Sequence, residues 1–177
     1  MHIGIIGAGN IGGNIARQLA RAGHQITISF TRDLTTLEAL ADEIGATAAR
    51  PADAAQADVI VLSVPWGAID QALAQAGPLG GRIVIDTTNQ FAAGRLAGLE
   101  GHTAARHNAN RMPGARYTKC FNTLTAGFQA AAATATARSG WCSGSAATRP
   151  RRSRWWAGWW PTPATSLWTW AESTTAR

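Results

Sequence analysis

The sequence predicts an α/β fold built on a doubly wound parallel sheet, and three observations predict it. Apolar runs of strand length alternate with amphipathic runs of helix length from His2 to Phe121. The first apolar run, His2–Ile6, leads directly into Gly7-Ala8-Gly9-Asn10-Ile11-Gly12 and then into a helical pattern. Asp58–Val64 is almost continuously apolar, as a parallel strand covered on both faces must be.

Each element follows from its local pattern. After the strand at His2–Ile6, a helix is expected over Ile11–Ala22, with Ile11, Ile15, Leu19 and Ala22 on one face. Gly23-His24 ends it. Gln25–Phe30 reads as the second strand. Leu34–Ile44 reads as a helix stopped by Gly45, and a short strand is expected near Ala46–Ala48. Pro51 is suited to open a short helix ending near Ala57. The apolar strand Asp58–Val64 precedes a helix over Trp66–Ala76, which Pro78 and Gly80-Gly81 terminate. Arg82–Asp86 is the next strand, Ala104–Arg111 a helix, and Arg116–Phe121 the sixth strand. Right-handed βαβ units of this kind form a parallel sheet whose ligand lies beyond the C-terminal strand ends. The Gly7 loop, Ser29–Arg32, Ser63–Trp66 and Asp86–Asn89 should therefore share one edge.

Strand, G-x-G-x-x-G and helix in this order form the dinucleotide-binding fingerprint of a Rossmann-type sheet. Gly7 permits the tight turn, Gly9 lets backbone approach a pyrophosphate, and Gly12 lets the helix lie close to the strand. Asn10 and Ile11 open the helix, whose free N–H groups and positive dipole end suit phosphate. An NAD site usually carries an acid at the end of the second strand to bind the ribose 2′-hydroxyl. Here the segment reads Ser29-Phe30-Thr31-Arg32-Asp33. The hydroxyls of Ser29 and Thr31 beside the Arg32 guanidinium suit a 2′-phosphate, so NADP(H) is expected over NAD(H). Asp33 argues the other way, and both Arg32 and Asp33 also fit the solvated start of the following helix.

The chain changes character near residue 133. Residues 1–132 carry a net charge of +1, and residues 133–177 carry +5. Trp66 lies before the break and the other seven tryptophans after it, including Trp155-Trp156 and Trp159-Trp160. Neither helical nor strand periodicity organises this tail, which is expected to be poorly ordered. It reads as a basic arm for a polyanion or membrane surface, as an unusual packing segment, or as out-of-frame translation. The third reading is favoured: one lysine against fifteen arginines implies a G+C-rich gene, in which Val-Val codons read one base off give Trp-Trp. The domain organisation is accordingly a nucleotide-binding domain over 1–132 and an Arg/Trp-rich tail over 133–177. The basic character of the whole chain is then no sign of a nucleic-acid partner, and none is expected.

Other classes find no support. No apolar run approaches the ~18 residues of a membrane span, and the N-terminus lacks the pattern of a signal peptide. Cys120 and Cys142 have no disulfide or metal spacing, which fits a reducing cytoplasm. His2, His24, His102 and His107 form no ligand pattern. No side-chain nucleophile or metal site is visible.

Three segments in order carry a resemblance. Gly7–Ala16, then Val61-Leu62-Ser63-Val64-Pro65-Trp66, then Lys119-Cys120-Phe121-Asn122-Thr123 resemble the coenzyme F420-dependent NADP reductases, and Asp86-Thr87-Thr88-Asn89 looks like that family's segment after the fifth strand. The resemblance covers about residues 1–130. It implies hydride transfer between nicotinamide and a deazaflavin, with the cofactors supplying the chemistry and the protein supplying binding and geometry. It implies that Ser63, Val64, Pro65 and Trp66 line the nicotinamide end and that Ile69 presses on the nicotinamide face. It implies that Thr88, Asn89, Asn122 and Thr123 are polar contacts for the second cofactor. Helix packing is the alternative role for Trp66 and Ile69, and capping of a following helix is the alternative for Asn122 and Thr123. The family also implies a homodimer, but its C-terminal elements, which build the dimer and the deazaflavin pocket, are replaced here by the Arg/Trp tail. The competing functions are reduction of another small acceptor on the same domain, and nucleotide binding without turnover.

Overall fold

A computed structural model describes residues 1–30, 33–92, 94–99, 101–123 and 125–134. Within them the order is β1 (His2–Ile6), α1 (Asn10–Arg21), β2 (Gln25–Ser29), α2 (Leu34–Ile44), β3 (Thr47–Ala48), α3 (Pro51–Ala54) and β4 (Val59–Leu62). A 3-10 turn at Trp66–Ala68 leads into α4 (Ile69–Ala76). Then come β5 (Ile83–Asp86), β6 (Phe91–Ala92), β7 (Arg95–Leu96), α5 (Ala104–Asn110), β8 (Arg116–Lys119) and α6 (Ala126–Thr134).

Six strands form one wholly parallel sheet in the order β3-β2-β1-β4-β5-β8. The reversal between β1 and β4 is the switch point at which open α/β sheets bind ligands. The sheet is covered on both faces because side chains alternate along each strand. Val59 and Val61 of β4 join Ile3, Ile5, Ile15, Leu19, Leu37 and Leu40 in the layer under α1 and α2. Ile60 and Leu62 join Ile6, Ala54, Ile69, Ala72 and Met112 in the opposite layer under α3, α4 and α5. Each such isoleucine or leucine contributes about 1.5–3 kcal/mol through burial. Gly4 is required where α3 crosses β1, since a Cβ there would stand 1.9 Å from the Ala54 carbonyl oxygen.

Local chemistry sets the element ends. Asp33 caps α2, its carboxylate accepting from Thr35 N at 3.0 Å, Thr36 N at 3.4 Å and Thr36 Oγ1 at 2.7 Å. These bonds hold the Asp33 carboxyl below its ordinary pKa, the Thr36 hydroxyl first among them. Gly45 closes α2 in the left-handed conformation, φ 65°.

Several details differ from the expected pattern, among them a β4 shorter than Asp58–Val64 at both ends and an α3 that ends at Ala54 rather than near Ala57. β2 stops at Ser29 because Phe30 turns to φ 57°, where a strand cannot continue, and β8 ends at Lys119, two residues before Phe121 turns to φ 62°. The 66–76 helix begins as the 3-10 turn. An antiparallel hairpin, β6–β7, occupies part of the β5–α5 connection. The expected tail lies outside the described residues from 135 onward. No helix among the described residues is long and apolar enough to cross a membrane.

Candidate functional site

The C-terminal ends of β1, β2, β4, β5 and β8 bring the expected segments to one edge. Each exit loop is tied to its neighbouring strand: Gly7 N donates to Ser29 O at 2.9 Å, Ser63 N to Ile6 O at 2.8 Å, Thr87 N to Leu62 O at 3.0 Å and Cys120 N to Asp86 O at 3.0 Å. A backbone ladder therefore runs from β2 across the switch point to β8.

The fingerprint glycines divide into two kinds. Gly7 lies at φ 105°, and a Cβ on it would stand 2.3 Å from Ser63 O. A Cβ on Gly12 would stand 2.0 Å from Gly7 O. These two are demanded by close approach of α1 to β1 and β4. A Cβ on Gly9 would meet no atom within 4 Å. Among the described residues no packing contact demands glycine at this position, and the space beside it is open. Gly9 is the N-cap of α1, no side chain caps that end, and no acid lies in its first turn. The first N–H groups of a helix lack intrahelical acceptors, so this end offers donors and a positive dipole to an anion. Asn10 is exposed beside Gly9, and Ile11 is half-buried against the α1–α2 core layer.

At the end of β2 the geometry differs from the expectation. Ser29 is fully buried, and its Oγ donates to Ile5 O at 3.2 Å. Strand alternation turns this hydroxyl inward, away from the edge. Thr31 and Arg32 lie outside the described residues. Asp33, the residue that argued against a 2′-phosphate, has its carboxylate engaged at the α2 cap.

Beyond β4, Pro65 is exposed and Ser63 half-buried, while Val64 and Trp66 are buried. Trp66 stacks on His107 with ring centroids 5.6 Å apart, and the Arg111 guanidinium lies 5.6 Å from its centroid. The tryptophan thus ties the β4 exit to α5. Ile69 is 0 % exposed, with Ala72 and Ala76 on the inner face of α4. Its side chain packs in the core layer under α4, the packing alternative for this residue.

Past β5 and β8 the loops form one polar wall. Asn89 Nδ2 donates to Asn122 O at 2.7 Å, and Asn122 Nδ2 returns a bond to Asn89 Oδ1 at 3.2 Å. Thr123 is exposed beside them. Thr88 is buried, its Oγ1 accepting from Asn108 Nδ2 at 3.0 Å. Beneath this wall lies a cluster that sequence reasoning missed. The carboxylate of Asp86 is 0 % exposed. Its Oδ1 accepts from Thr88 N at 2.7 Å. Its Oδ2 accepts from Asn108 Nδ2 at 2.9 Å, Tyr117 Oη at 2.5 Å and Lys119 Nζ at 3.2 Å. Lys119 Nζ also donates to Thr88 O. Burial, then the Asp86 charge, then the hydrogen bond to Asp86 push the Tyr117 phenol far above its ordinary pKa. Among the described residues every buried side-chain polar atom has a partner. The available signal in the sequence was one acid closing an apolar strand and the chain's single lysine, Lys119. Among the described residues no three His, Cys, Asp or Glu side chains gather as a metal site.

Comparison with solved structures finds this architecture repeatedly. A hypothetical protein from Sinorhizobium meliloti is 34 % identical with a TM-score of 0.65, the match covering 73 % of this chain and 65 % of that one. An Arthrobacter sp. FB24 protein provisionally assigned as an F420-dependent NADP reductase is 27 % identical with a TM-score of 0.63, covering 71 % and 64 %. An imine reductase from Myxococcus stipitatus in complex with NADP+ is 25 % identical with a TM-score of 0.58, covering 72 % and 43 %. The chain thus spans less than two thirds of the length of these relatives. A comparison with the curated proteins finds no match. The family model described as NADP oxidoreductase, coenzyme F420-dependent, matches residues 2–90, and the chain belongs to that family.

Proposed function

We propose that this chain binds NADP(H) along the described edge and serves an NADP(H)-dependent oxidoreductase. The open space at Gly9, beside an uncapped helix N-terminus with no acid in its first turn, carries the reading. A pyrophosphate suits that position because backbone N–H groups and the helix dipole both favour negative charge there. Gly7 and Gly12 would shape the turn, with Gly9, Asn10 and Ile11 nearest the phosphates. Thr31 and Arg32 are the proposed readers of a 2′-phosphate. Ser63 and Pro65 are the proposed contacts of the nicotinamide half. The Asn89–Asn122 pair and Thr123, which the resemblance implies as contacts of the second cofactor, are proposed to border the nicotinamide half as well, since the Thr87 N–Leu62 O bond ties their loop to the end of β4. Family membership and the NADP+ complex of the imine reductase support NADP(H).

When bound, the nicotinamide supplies or accepts a hydride, and this chain's residues orient it and keep water from its face. Coenzyme F420 is the proposed acceptor, on the description of the family. An imine is the second acceptor to assay, because the M. stipitatus imine reductase shares this fold.

The test is a titration of the purified chain with NADPH and NADH, followed by NADPH oxidation with F420, with a cyclic imine and with neither. Tight NADPH binding, weak NADH binding and F420-dependent oxidation are expected. Absence of NADPH binding overturns the reading. Binding without turnover on any acceptor leaves a nucleotide-binding module in place of an enzyme.

A further inference from the structure

We infer that the buried Asp86–Lys119 pair is a positioning device for the nicotinamide half of the nucleotide, acting through the loops that follow β5 and β8. This rests on the nucleotide-binding reading above. In a sheet of this order each half serves one mononucleotide. The adenosine half belongs to β1 and β2, the nicotinamide half to β4, β5 and β8.

Asp86 and Lys119 face each other in register at the last pair of β5 and β8. Their side chains grip the first turn of the β5 loop from both sides. Asp86 Oδ1 accepts from Thr88 N, and Lys119 Nζ donates to Thr88 O. One peptide group on either side of Thr88 is thereby fixed by opposite charges. Asn108 holds the same unit from α5, reaching both Asp86 Oδ2 and Thr88 Oγ1. The next residue, Asn89, carries the reciprocal bonds to Asn122. The surface pair is thus the outer end of a chain of contacts that starts at a fully buried carboxylate. Lys119 is the only cation bonded to Asp86 among the described residues, and its side chain is 16 % exposed. A buried carboxylate without its counter-charge loses its fixed geometry or draws in water, and the Thr88–Asn89 segment then loses its anchor.

Among the described residues, the adenosine half shares none of these side-chain contacts. Its turn is fixed by Gly7 and Gly12 and by the Gly7–Ser29 backbone bond. The device therefore predicts a split between two probes. NADPH spans both halves, and adenosine 2′,5′-bisphosphate spans only one.

The experiment measures dissociation constants of both probes for the full chain and for Lys119→Met, Lys119→Arg and Tyr117→Phe, with thermal unfolding of each. Lys119→Met is expected to weaken NADPH by about tenfold or more while the bisphosphate moves by less than about twofold. Lys119→Arg, which keeps the charge, restores most of the NADPH affinity. Should Lys119→Met fail to fold, Tyr117→Phe removes one donor from Asp86 and leaves the ion pair, and the same split is expected at smaller size. Equal loss of both probes makes the pair a general structural element and overturns the inference, as does no loss of either. A wild-type chain that binds the bisphosphate but not NADPH also overturns it. A wild-type chain that binds neither probe overturns the nucleotide reading itself.

Discussion

The carbonyl oxygen of Gly7 lies 2.0 Å from where Gly12 would carry a Cβ. That contact fixes the approach of α1 to the end of β1 and makes Gly12 a packing requirement. Gly9, three residues earlier, faces no such contact. The two glycines should therefore respond in opposite ways. Gly12→Ala is expected to destabilise the fold by about 1–3 kcal/mol or more, as overpacking against rigid backbone does. Gly9→Ala should change stability by no more than about 1 kcal/mol, since only the quality of the cap changes. It should weaken NADPH by about tenfold or more, because the methyl fills the ligand's space. Thermal unfolding and a binding titration on both variants check this. A Gly9→Ala protein that binds NADPH normally would remove the ligand explanation for Gly9.

Tyr117 is the only tyrosine of the chain, so its ionisation has its own signal in the near ultraviolet. Burial and the neighbouring Asp86 charge raise its pKa above the ordinary 10.0. Above that pH the unfolded phenol has lost its proton while the folded phenol keeps it. The folded state then binds more protons, and stability falls as pH rises. Below pH 10.0 this contribution is fully present. The tyrosinate band should be missing from the folded protein in mild alkali and should rise together with unfolding. In denaturant it should rise at the ordinary pKa. A band that grows near pH 10.0 while the far-ultraviolet signal is still native would contradict the buried Tyr117–Asp86 bond.

Ile69 belongs to the core under α4, and its energetic role should show there alone. Ile69→Val removes one methylene from a fully buried site. A loss of about 0.5–1.5 kcal/mol is expected in denaturant unfolding. The NADPH dissociation constant of the folded protein should be unchanged. A clear loss of affinity with unchanged stability would return Ile69 to the nicotinamide face.

The sheet was legible because its signals are local. The short apolar strand runs, such as that around Val59–Leu62, the helical spacing between them and the G-x-G-x-x-G turn each lie within a few residues. The failures have equally physical causes. Phe30 and Phe121 adopt positive φ, which their side chains give no reason to expect, so β2 and β8 end short of them. β3, β4 and β5 are also shorter than expected, and at β4 the apolar pattern continues into the exit loop through the buried Val64. A 3-10 turn turns through three residues where an α-helix takes 3.6, and the one at Trp66–Ala68 shifts the phase of α4. The β6–β7 hairpin has two-residue strands, too short for alternation to register; only Gly94, at φ 74°, marks its turn. The Asp86–Lys119 pair joins residues 33 apart in sequence, and no local pattern reports such a contact. The site edge was therefore readable as a set of loops, but the charge pair beneath it was not.

The choice between NADP(H) and NAD(H) rests on the end of β2, where two hydroxyls and a guanidinium were expected to act together. The Ser29 hydroxyl is turned inward and engaged with Ile5 O. Ser29→Ala deletes a donor that serves Ile5 O, so it should lower stability by about 1 kcal/mol and leave the NADPH-to-NADH affinity ratio unaltered. Arg32→Ala removes the one cation of the Ser29–Asp33 segment. Hydrogen bonds to charged groups contribute about 1.5–3 kcal/mol, so the ratio should fall by about tenfold or more through loss of NADPH affinity, with NADH nearly unchanged. Titrations of both variants with both nucleotides check the pair. An Arg32→Ala protein with the parent ratio would mean that the 2′-phosphate is not read by this arginine. Loss of the ratio in Ser29→Ala would mean that the hydroxyl turns outward when nucleotide binds.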